Sequence, residues 1–344
     1  MKVLRDVPLA PLTTLQVGGR ASYFAEATCT EEVLEAYTWA RSQNLPLFPL
    51  GSGSNLLVSD DGFEGLVLKI SLKGITVDED DQYVTLTAAA GEVWDKLVAQ
   101  SVDAGWAGIE CLSGIPGSCG ATPIQNVGAY GQEVCQTITC VSVYDKVEQK
   151  QKTLPNSECR FEYRSSIFKK TDRYVVLSVT YKLQKDSTPT ITYPELKAQL
   201  TQQPTLKEVR AAVLALRRRK SMIVDATDIN SRSAGSFFIN PVVDASFADA
   251  LRHRYPNLPT YPLGSAVKLP AAWLIEQAGF KKGYRRSRAA ISSNHALAIV
   301  NLGGATAAEI IALMKEIQDK VEQTFGIILQ PEPVFLGFEP SLAR

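Results

Sequence analysis

The sequence predicts an α+β fold. Strands and helices alternate irregularly rather than as a regular strand–helix–strand repeat, and the longest β-rich segments, residues 137–147 and 174–183, are alternating runs that favour local pairing. The length of 344 residues corresponds to about two to three domains at roughly 150 residues each. A hydrophobic fraction of 45% and a charged fraction of 21% are typical of a globular protein with apolar material for more than one core.

The N-terminal part mixes one helix with short strands. Thr30 is predicted as the N-cap of a helix with an acidic first turn, and the apolar residues Val33, Leu34, Tyr37 and Ala40 recur on one face of it. Short apolar runs then predict strands, at residues 45–50, 55–58 and 65–70.

The next part predicts a turn, a strand and a helix. Residues 78–81 are all acidic and predict a solvated turn. Residues 83–90 predict a strand, and residues 92–104 predict a helix with Val93 and Trp94 on its inner face.

Capping boxes, in which an N-cap hydroxyl and a glutamate three residues later satisfy each other's backbone N–H groups, mark two helices of the C-terminal half. They lie at residues 205–208 and 306–309, and the second opens an amphipathic helix over 306–325. Residues 270–277 predict a short helix with Gly279 at its C-terminal cap.

Charge and cysteine usage exclude several classes of protein. The 36 Lys and Arg residues balance 36 Asp and Glu residues, so the chain lacks the cationic excess expected of a nucleic-acid or membrane-surface protein. No stretch approaches 18 apolar residues, and no secretory signal begins the sequence. Six scattered cysteines and two histidines show no metal-ligand spacing, which predicts no metal site and reduced thiols in a cytoplasmic protein.

The first glycine-rich loop, Gly51-Ser52-Gly53-Ser54-Asn55, lies between two predicted strands. Its small residues allow backbone N–H groups to approach an anion. A dinucleotide-binding Rossmann motif would need a third glycine and a following helix, but Leu56 and a strand stand there. A tight turn without a ligand remains the alternative for this loop.

The second loop, residues 113–131, holds five glycines and two prolines. So long a segment without periodicity, inside a compact chain, is either functional or disordered, and its apolar residues argue against disorder. Because glycines let a backbone come close to a flat or phosphorylated ligand, the two loops together predict one large cofactor held from two sides.

The two loops resemble the flavin-binding segments of the UDP-N-acetylenolpyruvoylglucosamine reductase (MurB) family. Further blocks follow in the family's order, at residues 159–168, 234–241, 271–279 and 330–334. The resemblance implies a vanillyl-alcohol-oxidase-type FAD-binding fold of two lobes plus a separate α+β substrate-binding domain. The implied domains are a first FAD-binding lobe at 1–72, completed by 326–344, a second lobe at 73–222, and the substrate-binding domain at 223–325.

The resemblance also implies the reaction. NADPH reduces FAD, and hydride then passes to the C3 carbon of the enolpyruvyl group of UDP-N-acetylglucosamine enolpyruvate, giving UDP-N-acetylmuramate for peptidoglycan synthesis. Ser236 matches the family's proton donor to the C2 carbon, while Arg164 and Glu332 match the groups that stabilise the enolate. An arginine suits this role because its guanidinium can form two parallel bonds to a carboxylate. Glu332 lies between two prolines, whose fixed φ angles restrict its backbone.

Each catalytic match has a simpler interpretation from the residues alone. Ser236 could belong to a turn before a buried Phe-Phe pair, and Glu332 could be an exposed loop acid. Arg164 could form an ion pair with Glu162 or Glu158.

The implied ligand contacts fall into two sets. The FAD contacts are Gly51, Ser52, Gly53, Ser54, Asn55, Ser113, Pro116, Gly117, Gly120, Ala121, Thr122, Gln125, Asn126, Gly128, Ala129, Tyr130 and Gly131. The contacts with the UDP substrate or NADPH are Tyr193, Arg217, Lys220, Asn240, Tyr261, Lys268 and Asn294.

Tyr193 matches the mobile tyrosine of the family's type I subgroup, whereas residues 13–19 resemble the N-terminus of type II. We expect a monomer that binds its substrate and NADPH. Two other functions stay open from the sequence: an FAD-dependent oxidase of the same fold acting on an alcohol, and a flavin- or nucleotide-binding module without catalysis.

Overall fold

The structure is a computed structural model that describes residues 1–339. Its strands are β1 (Val3–Pro8), β2 (Arg20–Ala27), β3 (Leu47–Leu50), β4 (Leu56–Val58), β5 (Phe63–Ile70), β6 (Ile75–Glu79), β7 (Tyr83–Ala89), β8 (Trp106–Ala107), β9 (Gly128–Ala129), β10 (Gln132–Glu133), β11 (Ile138–Asp145), β12 (Lys150–Pro155), β13 (Tyr174–Lys185), β14 (Val242–Asp244), β15 (Tyr261–Leu263), β16 (Ala266–Lys268), β17 (Arg285–Arg286), β18 (Ala289–Ile291), β19 (Ile299–Asn301) and β20 (Val334–Leu336). Its α-helices are α1 (Thr30–Ser42), α2 (Trp94–Asp103), α3 (Ile167–Lys170), α4 (Pro194–Lys197), α5 (Leu206–Arg219), α6 (Ala245–Arg254), α7 (Ala271–Gln277) and α8 (Ala307–Phe325). Short 3₁₀ turns occur at Ala10–Leu12, Glu110–Leu112, Cys119–Ala121, Val134–Gln136, Asn156–Glu158 and Ile229–Ser231.

The first compact unit combines residues 1–7, 21–53 and 64–223. Its larger sheet has the strand order β12-β11-β13-β7-β6, and β8 also pairs with β13. A second sheet has the order β1-β2-β5-β3, in which β3 and β5 are parallel. Alternate residues of β7 are buried, as a strand with one face on a core requires, and Trp94 of α2 packs against Tyr181 of β13 in the same core.

The second compact unit combines residues 8–20, 54–63 and 224–339. It contains two small antiparallel sheets, β14-β16-β15 and β17-β18-β19, and the parallel pair β20-β4. Its core gathers the apolar stripe of α8 with α7 and a buried Phe237–Phe238 pair. The sharp end of α8 follows from Gly326, whose φ of 70° closes the helix in the left-handed conformation.

Strand β20 therefore joins a segment near the N-terminus, with Val334 opposite Leu56. The division of the chain into three domains at 72, 222 and 325 stays a prediction.

Several predicted elements are confirmed. Thr205 and Thr306 each accept a hydrogen bond from the backbone of a glutamate three residues on, and both capping boxes are complete. The predicted long strands correspond to β11 and β13, and Gly279 follows α7 with a φ of 102°.

Four local predictions are wrong. Cys29 rather than Thr30 is the N-cap of α1, because Thr28 already bonds the Glu32 carboxylate, and Leu34 is exposed. Val93 lies just before α2 and is 42% exposed. Residues 78 and 79 end strand β6, since pairing with β7 satisfies their backbone, and only residues 80 and 81 of the predicted turn lie in the exposed connection between the two strands.

Within residues 1–339, no helix combines the length and the apolar character needed to cross a membrane. The same residues contain no group of three or more His, Cys, Asp or Glu side chains placed to hold a metal ion. Cys111, Cys119 and Cys159 are buried, and burial raises the pKa of each thiol to about 12, whereas Cys29 is exposed. Buried thiols with such a high pKa are poor nucleophiles.

Candidate active site

The second glycine-rich loop, residues 113–131, is supported along its first half by the segment 90–95. Backbone hydrogen bonds join the two segments: Trp94 N–H to Gly117 O (3.1 Å), Cys119 N–H to Glu92 O (2.8 Å) and Gly120 N–H to Ala90 O (2.9 Å). The approach is so close that a Cβ on Gly120 would lie 2.5 Å from Ala90 Cβ. The loop is therefore part of the packed first unit, and its path is fixed by backbone contacts.

The first glycine-rich loop meets the second at Gly51. A Cβ on Gly51 would lie 3.0 Å from Ser118 Oγ, and Lys69 Nζ donates a hydrogen bond to Gly51 O. Burial lowers the pKa of Lys69. Residues 51–53 belong to the first unit and residues 54–55 to the second. The structure thus brings Gly51 and the second loop together.

Three predicted FAD contacts have side chains that point into the protein. Ser113, Thr122 and Asn126 are at most 2% exposed. Their bonds are Ser113 Oγ to Glu110 O (2.6 Å), Thr122 Oγ1 to Cys119 O (2.8 Å) and Asn126 Nδ2 to Glu133 Oε2 (2.8 Å). These side chains shape the loop from inside. The other predicted members of the loop are half-buried apart from buried Gly120 and exposed Gly131: Pro116, Gly117, Ala121, Gln125, Gly128, Ala129 and Tyr130.

The end of the second loop packs against Tyr193, which lies just before α4. The Tyr130 and Tyr193 ring centroids are 5.3 Å apart with their planes at 89°, an edge-to-face contact. Burial raises the pKa of Tyr130 to about 12, so its hydroxyl stays protonated at neutral pH. A side chain on Gly131 would collide with the Thr192 hydroxyl.

Arg164 lies against the same loop. Its Nη2 donates to Gly128 O at 2.6 Å, and its guanidinium lies 5.3 Å from the centre of the Tyr163 ring. The backbone of Arg164 has a φ of 53°, a conformation uncommon for residues with a side chain and frequent at functional sites. The guanidinium is therefore held at the loop rather than extended into solvent.

The cations at the C-terminal end of α5 have different environments. Lys220 Nζ lies 2.6 Å from Glu195 Oε2, and both side chains are partly exposed. Arg217 is only 7% exposed, and its guanidinium donates to Gly114 O at 3.0 Å and to Met222 O at 2.6 Å. Burial lowers the pKa of Arg217. The structure places Arg217 against the backbone of the second loop, and its contact with substrate stays a prediction.

In the second unit, Ser236 and Glu332 lie on two paired segments. The Glu332 N–H donates to Phe237 O at 2.9 Å, and Phe238 forms an antiparallel bridge with Pro331. Phe237 and Phe238 are buried, and this anchors the segment on which the half-buried Ser236 lies. The structure therefore brings two of the three predicted catalytic residues onto adjacent backbones, while Arg164 belongs to the first unit.

One threonine and one asparagine side chain support the segments of Ser236 and Glu332. Thr14 Oγ1 donates to Ser233 O at 2.6 Å, three residues before Ser236. Asn55 Nδ2 donates to Glu332 O at 3.3 Å. Sequence reasoning missed Thr14, since nothing in the order of the residues connects positions 219 apart.

The four remaining predicted substrate residues lie in the second unit. Tyr261 and Lys268 are directly opposite each other in the β15–β16 pair. Asn240 Oδ1 accepts the Ala271 N–H at 2.9 Å, so this side chain caps α7. Asn294 is exposed, and its N–H donates to Ser292 Oγ at 3.1 Å. Tyr261 and Lys268 form a pair, whereas the visible contact of Asn240 is structural.

Comparison with known proteins gives consistent matches over the chain. Residues 227–336 match a family model described as UDP-N-acetylenolpyruvoylglucosamine reductase, C-terminal domain, and residues 21–147 match a model described as FAD binding domain. The UDP-N-acetylenolpyruvoylglucosamine reductase of Thermobifida fusca is 45% identical, covering 97% of this chain and 98% of its own length. The UDP-N-acetylenolpyruvoylglucosamine reductase of Streptomyces avermitilis is 46% identical, and the match covers 98% of this chain and 95% of that protein. The crystal structure of the reductase from Thermus caldophilus aligns with a TM-score of 0.68 at 26% identity, covering 98% and 99%.

Proposed function

The chain belongs to the UDP-N-acetylenolpyruvoylglucosamine reductase family, and from that premise we propose how its residues perform the reaction. It is an FAD-dependent oxidoreductase that uses NADPH to reduce UDP-N-acetylglucosamine enolpyruvate to UDP-N-acetylmuramate, a step of peptidoglycan precursor synthesis. The predicted α+β fold with an FAD-binding part is confirmed.

The two glycine-rich loops fit an FAD. They lie close together at Gly51, where a Cβ would be 3.0 Å from the Ser118 hydroxyl oxygen. Residues 51–53 and the backbone of 113–131 would hold the cofactor. When bound, FAD supplies the hydride that NADPH provides and that the C3 carbon of the enolpyruvyl group receives.

We assign the proton at the C2 carbon to Ser236. Hydride addition at C3 leaves negative charge on C2 and the carboxylate, and a carbanion is a base strong enough to take the proton of a well-placed hydroxyl. The observation that carries this assignment is the Glu332 N–H to Phe237 O bond, which fixes the segment of Ser236 beside that of Glu332. The buried Phe237 and Phe238 rings hold the hydroxyl's backbone in place.

Glu332 and Arg164 are proposed to stabilise the enolate. The guanidinium of Arg164 is held at Gly128 O, and its planar fork of donors suits a developing carboxylate charge. Glu332, whose carbonyl accepts a bond from Asn55, would act at the substrate carboxylate. Support for both roles is the match to the family's motifs. For Tyr193, Lys220, Tyr261, Lys268, Asn240 and Asn294 we propose substrate or NADPH contacts on the same basis.

The test separates the two half-reactions in a stopped-flow spectrometer. The wild-type holoenzyme should lose its flavin absorbance with NADPH and regain it with the enolpyruvyl substrate. Ser236→Ala should reduce its flavin at the wild-type rate but reoxidise it about 10²–10⁴-fold more slowly, the usual contribution of a general acid. Undiminished reoxidation in Ser236→Ala would remove Ser236 from the mechanism. Rapid turnover with oxygen and an alcohol, without response to the enolpyruvyl substrate, would favour the oxidase instead.

We also propose a monomeric, cytoplasmic enzyme without nucleic-acid or membrane partners. The support is the balance of 36 basic and 36 acidic residues, which provides no overall attraction to polyanions. Sedimentation at micromolar concentration and cell fractionation would test the oligomeric state and the location.

A further inference from the structure

Gly114 opens the second glycine-rich loop and is held from its N–H side by Asp95. Asp95 Oδ1 accepts the Gly114 N–H at 2.6 Å. Arg210 grips the same carboxylate with two bonds, Nη1 to Oδ1 at 2.6 Å and Nη2 to Oδ2 at 2.9 Å. Although burial alone would raise the pKa of Asp95, the bonds from Arg210 and Gly114 lower it, so the carboxylate is charged at neutral pH.

Gly114 is held from its carbonyl side by Arg217. Arg217 Nε donates to Gly114 O at 3.0 Å, and Nη2 donates to Met222 O at 2.6 Å. Gly114 has a φ of 71°, and a Cβ there would lie 2.8 Å from Leu214 Cδ2 and 3.3 Å from Arg217 Cδ. A larger residue here would be strained by the positive φ and would require the side chains of Leu214 and Arg217 to shift.

We propose that Asp95, Arg210 and Arg217, here called the Gly114 clamp, are positioning residues that set the start of the loop 113–131 in the conformation that binds FAD. The proposal rests on the proposed function, because it takes this loop as the FAD site. It gives Arg217 a role toward the cofactor loop instead of a contact with the diphosphate of substrate or NADPH.

The clamp connects three distant parts of the first unit. Asp95 lies in the first turn of α2, where a carboxylate is favoured by the helix dipole, and Arg210 and Arg217 lie two turns apart on α5. Both backbone polar groups of Gly114 are bonded to charged side chains, and such bonds are stronger than those between neutral groups. A loop so fixed before binding loses less conformational entropy when the cofactor binds.

The experiment measures FAD affinity of the apoprotein by flavin fluorescence, separately from turnover. Arg217→Met keeps the aliphatic stem and removes both bonds, and we expect an FAD Kd about ten- to a hundredfold higher, from the loss of charge-assisted hydrogen bonds. Asp95→Asn should raise it about tenfold. Arg218→Met, a neighbouring exposed arginine on the same helix, is the matched control and should leave the Kd unchanged.

Two further measurements identify the role. In Arg217→Met saturated with FAD, the KM for each substrate should stay within about twofold of wild type. Arg217→Lys keeps the charge but cannot reach both carbonyls with a fork, so it should bind FAD about three- to tenfold more weakly than wild type. In the double variant Asp95→Asn/Arg217→Met, the loss of FAD binding free energy should be smaller than the sum of the two single losses, because both residues act on one glycine.

An unchanged FAD Kd with a raised substrate KM in Arg217→Met would overturn the proposal and return Arg217 to the substrate site. If Arg217→Met does not fold, the FAD affinities of Asp95→Asn and Arg217→Lys test the proposal instead. Wild-type FAD affinity in both variants would refute the Gly114 clamp. A wild-type apoprotein that binds no FAD would refute the proposed function itself.

Discussion

Gly120 provides a quantitative test of how the cofactor loop is packed. In Gly120→Ala the new methyl carbon would lie 2.5 Å from Ala90 Cβ and 2.9 Å from Ala90 Cα. Carbon atoms in contact prefer about 3.5–4.0 Å, so one segment must move by about 1 Å. Such overpacking costs about 1–3 kcal/mol, and the movement also weakens the Gly120 N–H to Ala90 O bond, worth about 0.5–1.5 kcal/mol.

We therefore expect Gly120→Ala to lower the free energy of unfolding of the apoprotein by about 2–4 kcal/mol and to raise the FAD Kd by about tenfold or more. Urea unfolding followed by circular dichroism measures the first quantity, and flavin fluorescence measures the second. Adding Ala90→Gly removes the closest of the clashing atoms, so the double variant should recover at least half of both losses.

Gly105→Ala is the control, because a Cβ there meets nothing within 4 Å. The φ of 79° at Gly105 predicts a stability loss of about 1–2 kcal/mol from backbone strain, with FAD affinity unchanged. Wild-type stability and FAD affinity in Gly120→Ala, or no recovery with Ala90→Gly, would refute the close approach of the two segments.

Three other sites give predictions of their own. Lys220→Ala should raise the KM for NADPH or the UDP substrate about tenfold at unchanged FAD affinity. Glu195→Gln, which releases Lys220 from its 2.6 Å ion pair, should lower the same KM. Steady-state kinetics with each substrate varied measures both changes, and an unchanged KM in either variant would contradict the prediction. Asn301→Ala should lower the free energy of unfolding by about 2–4 kcal/mol in urea titrations, because the buried amide makes four hydrogen bonds to backbone groups. Hydrogen bonds from Arg173 hold the pKa of Asp145 well below its usual range, so this carboxylate stabilises the fold above about pH 4 and ceases to do so as the pH falls through the lowered pKa. The stability difference between wild type and Asp145→Asn should shrink from about pH 5 to about pH 2, and a difference that grows on acidification would contradict the sign.

Local signals in the sequence predict local structure well. The Thr205 and Thr306 capping boxes are complete within four residues, so the geometry that they predict needs no distant partner. At α1 the local signal is misleading, and Thr30 is not the N-cap. Cys29 occupies the N-cap position of α1, and the Glu32 carboxylate accepts hydrogen bonds from the N–H and hydroxyl of Thr28, two residues before Thr30.

Strands that are defined by pairing rather than by their own residue pattern are not predicted from the sequence. Strand β2 follows two glycines and alternates weakly, and it is defined by pairing within the sheet rather than by its own pattern. The four acidic residues 78–81 predict a turn, but residues 78 and 79 belong to β6, where pairing with the adjacent strand β7 supplies their hydrogen bonds.

At the candidate site the motifs located the two loops and the segments of Ser236 and Glu332. They did not indicate which side chains point inward. The run at 217–220 reads as one cationic helix end, yet Arg217 is buried and Lys220 is ion-paired at the surface. The Asp95–Arg210 pair joins residues 115 apart, and no periodicity or spacing in a single sequence predicts such a contact.

The pairing of β4 with β20 has a consequence for synthesis of the protein on the ribosome. The side chains of β4 are all apolar, and 277 residues separate Asn55 from its partner Glu332. At a translation rate of about 5–20 residues per second, the early segment waits roughly 15–55 s for the strand that completes it. During that time the exposed apolar residues of β4 can bind chaperones or other nascent chains. A chain truncated before residue 334 lacks β20 permanently, so we expect it to aggregate more readily than the full-length chain.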